Sequence, residues 1–247
     1  MSPPCPGRGA SEGVAASTDS PGEGVAAREP GGSRIGSARL YLCTPDRSDL
    51  EQFVEQCILG GVEVVQLREK ELGDRDLLAR ARKLVRVCSH HGVPFILNDR
   101  PDLALEAGAD GVHVGQDDAP PSLARRILGP NAIIGLSTHR PEELQSSKAE
   151  PVDYISAGPV VATPTKPGRP GTGVGYAALA STEAGRPVFV TGGVDPSSVR
   201  RMAPAGARRF VVVRFLTRST DPAGDARLLA QAIDDAIARA EDRPQTT

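Results

Sequence analysis

The chain contains no tryptophan, and only three tyrosines and five phenylalanines among its 247 residues. That leaves few stacking platforms for single-stranded nucleic acid. A net charge of −2 at neutral pH supplies no basic face to draw a phosphate backbone. No apolar run approaches the roughly 18 residues that a membrane helix needs. Cys5, Cys43, Cys57 and Cys88 lack both CxxC spacing and the density of a disulfide scaffold, so they read as reduced thiols. Four histidines, at 90, 91, 113 and 139, form neither HxH nor HxxxH, which argues against a histidine metal site and marks them as packing or surface residues. Residues 1–36 carry no large apolar cluster and are rich in Gly, Pro, Ser and Ala. Such a segment buries too little surface to offset its ordering entropy, so it is expected to be a disordered tail; a start codon assigned too far upstream gives the same composition. Without a basic n-region and an apolar h-region it does not read as a secretory signal. These absences together suggest a cytoplasmic protein with no membrane or nucleic-acid partner.

From residue 37 to residue 243 the pattern changes. Short β-rich runs at 39–44, 62–69, 94–99, 111–116, 132–138, 153–158, 187–192 and 208–216 alternate with helical segments. Their apolar stretches are often continuous, as expected for parallel strands covered by helices. The helical stretches place apolar residues three and four apart: Leu50, Phe53, Val54 and Cys57 in one, Leu228, Leu229, Ala232 and Ile233 in the last. Eight strand–helix units in a row predict a single-domain (β/α)8 TIM barrel; a doubly wound open sheet is the alternative.

Polar residues gather where such strands end, the side on which a barrel keeps its site. In "QLREK", Gln66, Arg68 and Lys70 point to one side for as long as strand geometry persists, making a pocket for an anion. A solvated strand end pairing with Glu69 and Glu71 gives the same pattern. "NDR" closes the third strand and "GQDD" follows the fourth. Asp99, Asp117 and Asp118 are each explained by helix capping. Yet oxygen donors on adjacent strands also suit Mg2+ with a phosphorylated ligand. Ser137 in "LSTH" can aim a hydroxyl into the mouth. "VVATPTKPGRPGTG", after the sixth strand, combines a hydroxyl- and lysine-bearing half with a Gly/Pro-rich half bearing Arg169. The Gly192–Gly193 pair after the seventh strand lets backbone N–H groups approach a phosphate. Two anionic poles favour a reaction between two phosphorylated molecules. No Ser-His-Asp or Cys-His set accompanies them, which disfavours covalent catalysis.

In their order along the chain, "VVQLREK", "FILNDR", "GVHVGQDD", "IGLSTH", "GPVVATPTK" and "VTGGV" resemble the thiamine phosphate synthase family, over about residues 39–216. The resemblance implies a transferase of thiamine biosynthesis. It joins 4-amino-2-methyl-5-(pyrophosphooxymethyl)pyrimidine to 4-methyl-5-(2-phosphoethyl)thiazole, or its carboxylated form, giving thiamine monophosphate and pyrophosphate. By matching positions, Gln66, Arg68, Lys70 and Asn98 would bind the pyrimidine pyrophosphate, with Leu67 and Glu69 in the same binding stretch. Asp99 and Asp118 would hold Mg2+, and Asp117 is the less favoured of the tandem pair. Ser137 would contact the pyrimidine side and Lys166 the pyrophosphate. Thr163, Pro164 and Thr165 would bind the thiazole phosphate, together with Gly192, Gly193 and the backbone near Val213 and Arg214. Arg68, Lys70, Ser137 and Lys166 carry the catalytic roles. The implied mechanism is dissociative: pyrophosphate leaves before the thiazole nitrogen attacks, and no protein nucleophile is required. One departure stands out, Arg214 in "RRFVVVRFL", where the family usually has a small residue. The oligomeric state is open, a homo-oligomer included. A thiazole tautomerase-like isomerase and a non-catalytic phospho-ligand-binding barrel are the alternative functions.

Overall fold

The computed structural model of the protein describes residues 35–162 and 170–242. Eight parallel strands close into a barrel in chain order: β1 (Leu40–Thr44), β2 (Val64–Leu67), β3 (Phe95–Asn98), β4 (Gly111–Val114), β5 (Ile133–Thr138), β6 (Tyr154–Ala157), β7 (Val188–Thr191) and β8 (Arg209–Val212). Closure pairs β1 with β8 through Tyr41 and Val211. The helices are α1 (Leu50–Leu59), α2 (Asp74–His90), α3 (Pro101–Ala107), α4 (Pro121–Leu128), α5 (Pro141–Ser147), α6 (Gly173–Glu183), α7 (Pro196–Met202), α8 (Arg214–Thr217) and α9 (Pro222–Glu241). The (β/α)8 barrel expected from the pattern is the architecture observed, and the open sheet is excluded.

Side chains alternate across each strand, and the two faces differ. Facing outwards, Leu40, Leu42, Val65, Leu67, Phe95, Leu97, Val112 and Val114 join the apolar stripes of the helices in one cluster. On α1 the expected residues Leu50, Phe53, Val54 and Cys57 are all buried. On α9 the stripe is Ala226, Leu229, Ala232, Ile233, Ala236 and Ile237, while Leu228 is exposed. Leu228 and Leu229 are one residue apart, about 100° around a helix, so one layer cannot take both. Facing inwards, Tyr41, Cys43, Val64, Ile96, Ile133, Tyr154, Phe189 and Val211 form a second cluster.

The packed chain begins earlier than residue 37. Ile35 is fully buried with Ala38 in the interior cluster, and Arg209 donates from Nη2 to the Gly36 carbonyl at 2.6 Å. The last strand is also shorter than the run 208–216. It stops at Val212, Val213 leaves strand geometry at φ −126°, ψ −87°, and Arg214–Thr217 turns into α8. Among the described residues, no helix is long and apolar enough to cross a membrane.

Candidate active site

A cavity of about 310 Å3 opens at the C-terminal ends of the strands. Its floor holds much of the chain's small aromatic complement. Tyr41, Tyr154 and Phe189 meet edge-on or tilted, with centroids 5.3–5.9 Å apart, and His113 lies nearly parallel to Tyr154 at 5.5 Å. Gly135 makes that stack possible. It stands between His113 and Tyr154 in strand register. A Cβ there would lie 2.1 Å from Tyr154 Cζ and 2.5 Å from His113 Nδ1. The floor is polar as well as aromatic. Gln66 Nε2 donates to the Tyr41 hydroxyl at 2.7 Å, and Ser137 Oγ sits 2.9 Å from His113 Nε2. Burial pushes both tyrosine hydroxyls far above their ordinary pKa, so both keep their protons. His113, expected to be a packing or surface residue, therefore lines the site.

One charged end lies on β2–β4. β2 stops at Leu67, so strand alternation does not carry through to Lys70. Arg68 nonetheless lines the cavity, and Lys70 Nζ lies 2.9 Å from Asp99 Oδ2. Asp99 holds the left-handed backbone at φ 63° and donates its N–H to the His113 carbonyl at 2.8 Å, which fixes the β3–β4 strand ends together. Burial raises the pKa of Asp99, the Asp118 carboxyl raises it further, and the Lys70 ammonium opposes both. Asp118 is oriented by Gly115, whose N–H donates to Oδ2 at 2.8 Å.

Two facing carboxyls, one of them raised in pKa by the other, fit a divalent cation better than they fit each other. Among the described residues no group of three His, Cys, Asp or Glu side chains could hold a metal. Asp99 and Asp118 would offer two oxygen donors, a set that suits Mg2+ completed by water and substrate phosphate. Asn98 also lines the cavity.

Two expected contacts move away. Leu67 is fully buried in the outward cluster, so its side chain faces helices rather than the cavity. Glu69 folds back, its carboxylate accepting from the N–H groups of Asp46, Lys70 and Glu71. These donors outweigh burial and hold the carboxyl below its usual pKa.

The opposite end is cationic. Gly192, Gly193, Val213, Arg214, Phe215 and Arg218 line it. Gly192 has φ 101°, and a Cβ there would stand 2.6 Å from Val160 N and 2.7 Å from Pro159 Cα. Only glycine lets the loop after β6 lie this close. Arg214 and Arg218 make no ion pair among the described residues, whereas Arg39, Arg47, Arg80, Arg82, Arg100 and Arg125 all do. Asp195, also at this rim, is engaged in the capping box of α7 with Ser198. Thr163, Pro164, Thr165, Lys166 and Arg169 lie outside the described residues. The chain on either side of them is pinned together: Thr172 N donates to Pro159 O at 2.8 Å and Gly173 N to Val160 O at 3.1 Å.

Tyr41, Cys43, His113, Tyr154, Ser156 and Thr191 line the cavity although the sequence assigns none of them to the site. A signal existed for His113: in "GVHVG" it lies between two valines that face the helices, so it must face the barrel axis.

The model of the family described as thiamine monophosphate synthase matches residues 40–216. A protein of Mycobacterium sp. (strain KMS) named thiamine-phosphate synthase is 42% identical over 218 residues, covering 83% of this chain and 96% of that protein. One of the same name from Gloeobacter violaceus is 46% identical over 190 residues, covering 77% of this chain; the match spans only 56% of that longer protein. Among solved structures, thiamine phosphate pyrophosphorylase from Pyrococcus furiosus superposes with a TM-score of 0.75 at 25% identity, over 82% of this chain and 98% of the other. A 3-hexulose-6-phosphate synthase, at 20% identity and a TM-score of 0.58, shares the fold alone. The chain belongs to the thiamine monophosphate synthase family.

Proposed function

We propose that the chain is a thiamine-phosphate synthase that condenses the pyrimidine pyrophosphate with the thiazole phosphate to give thiamine monophosphate and pyrophosphate. The observation that carries this reading is a cavity with a charged end at each side of a neutral aromatic floor. The β2–β4 end, with Arg68 and Lys70, matches a pyrophosphate. The β7–β8 end, with Gly192, Gly193, Arg214 and Arg218, matches the phosphate of a second substrate.

Ser137, 2.9 Å from His113, serves in this reading as a binding hydroxyl, because departure of pyrophosphate before attack requires no protein nucleophile. In this reading Gln66, Asn98 and Ser137 orient the pyrimidine ring over the tyrosines. Arg68 and Lys70 neutralise charge that builds on the leaving group, most effectively in a site that excludes water. Asp99 and Asp118 would hold Mg2+, which when bound supplies further neutralisation of phosphate oxygens. Lys166, Thr163 and Thr165, outside the described residues, would complete the anion contacts. The Gly192–Gly193 turn and the backbone near Val213 and Arg214, all at the cavity wall, would contact the thiazole phosphate. Both substrates are thereby held in line, which replaces a bimolecular encounter by an oriented one.

The test is product formation from the two purified substrates, with and without Mg2+. Thiamine monophosphate and pyrophosphate are expected in equal amounts and only with Mg2+. No product under either condition ends this reading, and isomerisation of the thiazole alone points to the tautomerase. Asp99→Ala is expected to lower Mg2+-dependent turnover at least about a hundredfold, the several kcal/mol such a cation contributes, with an unchanged circular dichroism spectrum. Turnover like that of the parent protein takes Asp99 out of the metal site.

A further inference from the structure

Five side chains on the cavity floor form one continuous hydrogen-bonded chain across the barrel, from β2 to β5. Gln66 Nε2 donates to Tyr41 at 2.7 Å, the Tyr41 and Tyr154 hydroxyls meet at 2.9 Å, Tyr154 meets His113 Nδ1 at 3.0 Å, and His113 Nε2 meets Ser137 Oγ at 2.9 Å. All five residues are buried. At the near end the Cys43 thiol donates to Gln66 Oε1 at 3.4 Å, which keeps the amide nitrogen turned towards Tyr41.

Each phenol carries one proton and neutral imidazole carries one on either nitrogen, so the chain can point only one way at a time. The Tyr41 oxygen accepts from Gln66, and its own proton must find an acceptor. Among the described residues Tyr154 is that acceptor. The opposite arrangement directs the Tyr154 proton at Tyr41 and strands the Tyr41 proton in a buried site, which is costly. Tyr154 therefore gives its proton to His113 Nδ1. The ring proton of His113 must then lie on Nε2, donated to Ser137 Oγ. Ser156 Oγ lies 3.4 Å from both His113 Nε2 and Ser137 Oγ, and with the ring proton on Nε2 its own proton goes to Ser137. With its oxygen already accepting from below, Ser137 keeps its own proton for the cavity.

We infer that Tyr41 and Tyr154 are positioning residues that hold His113 as its Nε2–H tautomer and so make Ser137 a hydrogen-bond donor to an acceptor atom, of the ring-nitrogen class, on the substrate. Gln66 and Ser137, on strands three apart, thus present one matched polarity to whatever ring lies between them. The substrate half of this inference rests on the condensation proposed above; the tautomer half does not.

The experiment starts with the substrate-free full chain carrying 15N-labelled histidine. A two-bond 1H–15N spectrum is recorded at one near-neutral pH, with His113 assigned by its loss in His113→Gln. The protonated nitrogen is expected to be Nε2. Tyr154→Phe and Tyr41→Phe keep the ring packing and remove one link each, and both are expected to mix the two tautomers. In steady-state assays Tyr154→Phe should raise KM for the pyrimidine pyrophosphate about tenfold, the loss of one directed hydrogen bond, and leave KM for the thiazole phosphate unchanged. An Nδ1–H ring in the parent protein overturns the inference, and so does a Tyr154→Phe variant with parental tautomer and parental KM. If Tyr154→Phe fails to fold, the parent spectrum and Tyr41→Phe decide the tautomer. A confirmed tautomer in a chain that makes no thiamine monophosphate counts against the proposed function and leaves the proton order intact.

Discussion

Gln66 and Leu67 are neighbours on β2, and both are buried, but they answer to different demands. Leu67 enters the apolar layer between strands and helices, where shape decides. Gln66 enters the barrel, where its amide is held from both sides by the Cys43 thiol and the Tyr41 hydroxyl. The contrast repeats around the ring: Val112 and Val114 outside against His113 inside, Leu136 outside against Gly135 and Ser137 inside. The outer face is a packing surface whose cost of error is stability. The inner face is a hydrogen-bonded surface whose cost of error is orientation. Interior polarity at this density survives burial because Gln66, Tyr41, Tyr154, His113 and Ser137 each have a partner.

The sharpest way to break the comparison is to exchange what each neighbour should lose. Leu67→Ala is expected to cost about 2–5 kcal/mol in denaturant unfolding, with both KM values within twofold of the parent at a temperature where it stays folded. Gln66→Ala should do the reverse, with stability nearly kept and KM for the pyrimidine pyrophosphate raised. If Leu67→Ala changes KM as Gln66→Ala does, the two faces are not independent. Gly135→Ala tests the inner face by volume. Its new methyl would meet Tyr154 and His113, so about 1–3 kcal/mol of overpacking is expected, together with lost turnover; an unfolding midpoint at the parental value argues that the rings can yield. Arg214→Ser probes the cationic end. KM for the thiazole phosphate should rise about tenfold, as for a charge-assisted contact of about 1.5 kcal/mol, while KM for the pyrimidine pyrophosphate holds. Equal effects on both substrates would place Arg214 elsewhere. The smallest effect concerns the frame around the site. Asp195→Ala removes the cap of α7 and should cost about 1 kcal/mol in thermal unfolding; a loss of activity well beyond that gives Asp195 a part in binding as well.

Much of this architecture was legible because parallel strands read as short apolar runs and amphipathic helices as 3–4 spacings, both set by local geometry. The run 208–216 overshoots β8 because "VVVRFL" is apolar but for Arg214, and only the Val213 backbone shows where the strand turns into α8. Leu67 and Glu69 were grouped with the site because a motif carries whole stretches, whereas alternation and loop capping sort its residues one by one. Asp99, Lys70 and Asp118 were legible as strand-end charges, and their mutual contact was not, since it depends on how two loops sit side by side. Residues 1–34 of the expected tail, with Thr163, Thr165 and Lys166, lie outside the described residues.

By itself the sequence determined the class of fold, the order of its units and the end of the barrel that holds the polar residues. Those follow from side-chain periodicity, which is a local property of the backbone. Only the tertiary structure decided that His113, Tyr41 and Tyr154 meet over Gly135, because the barrel's stagger brings Tyr41 and Tyr154, 113 positions apart, into hydrogen-bonding distance. No local pattern encodes that register; closing the ring of strands does.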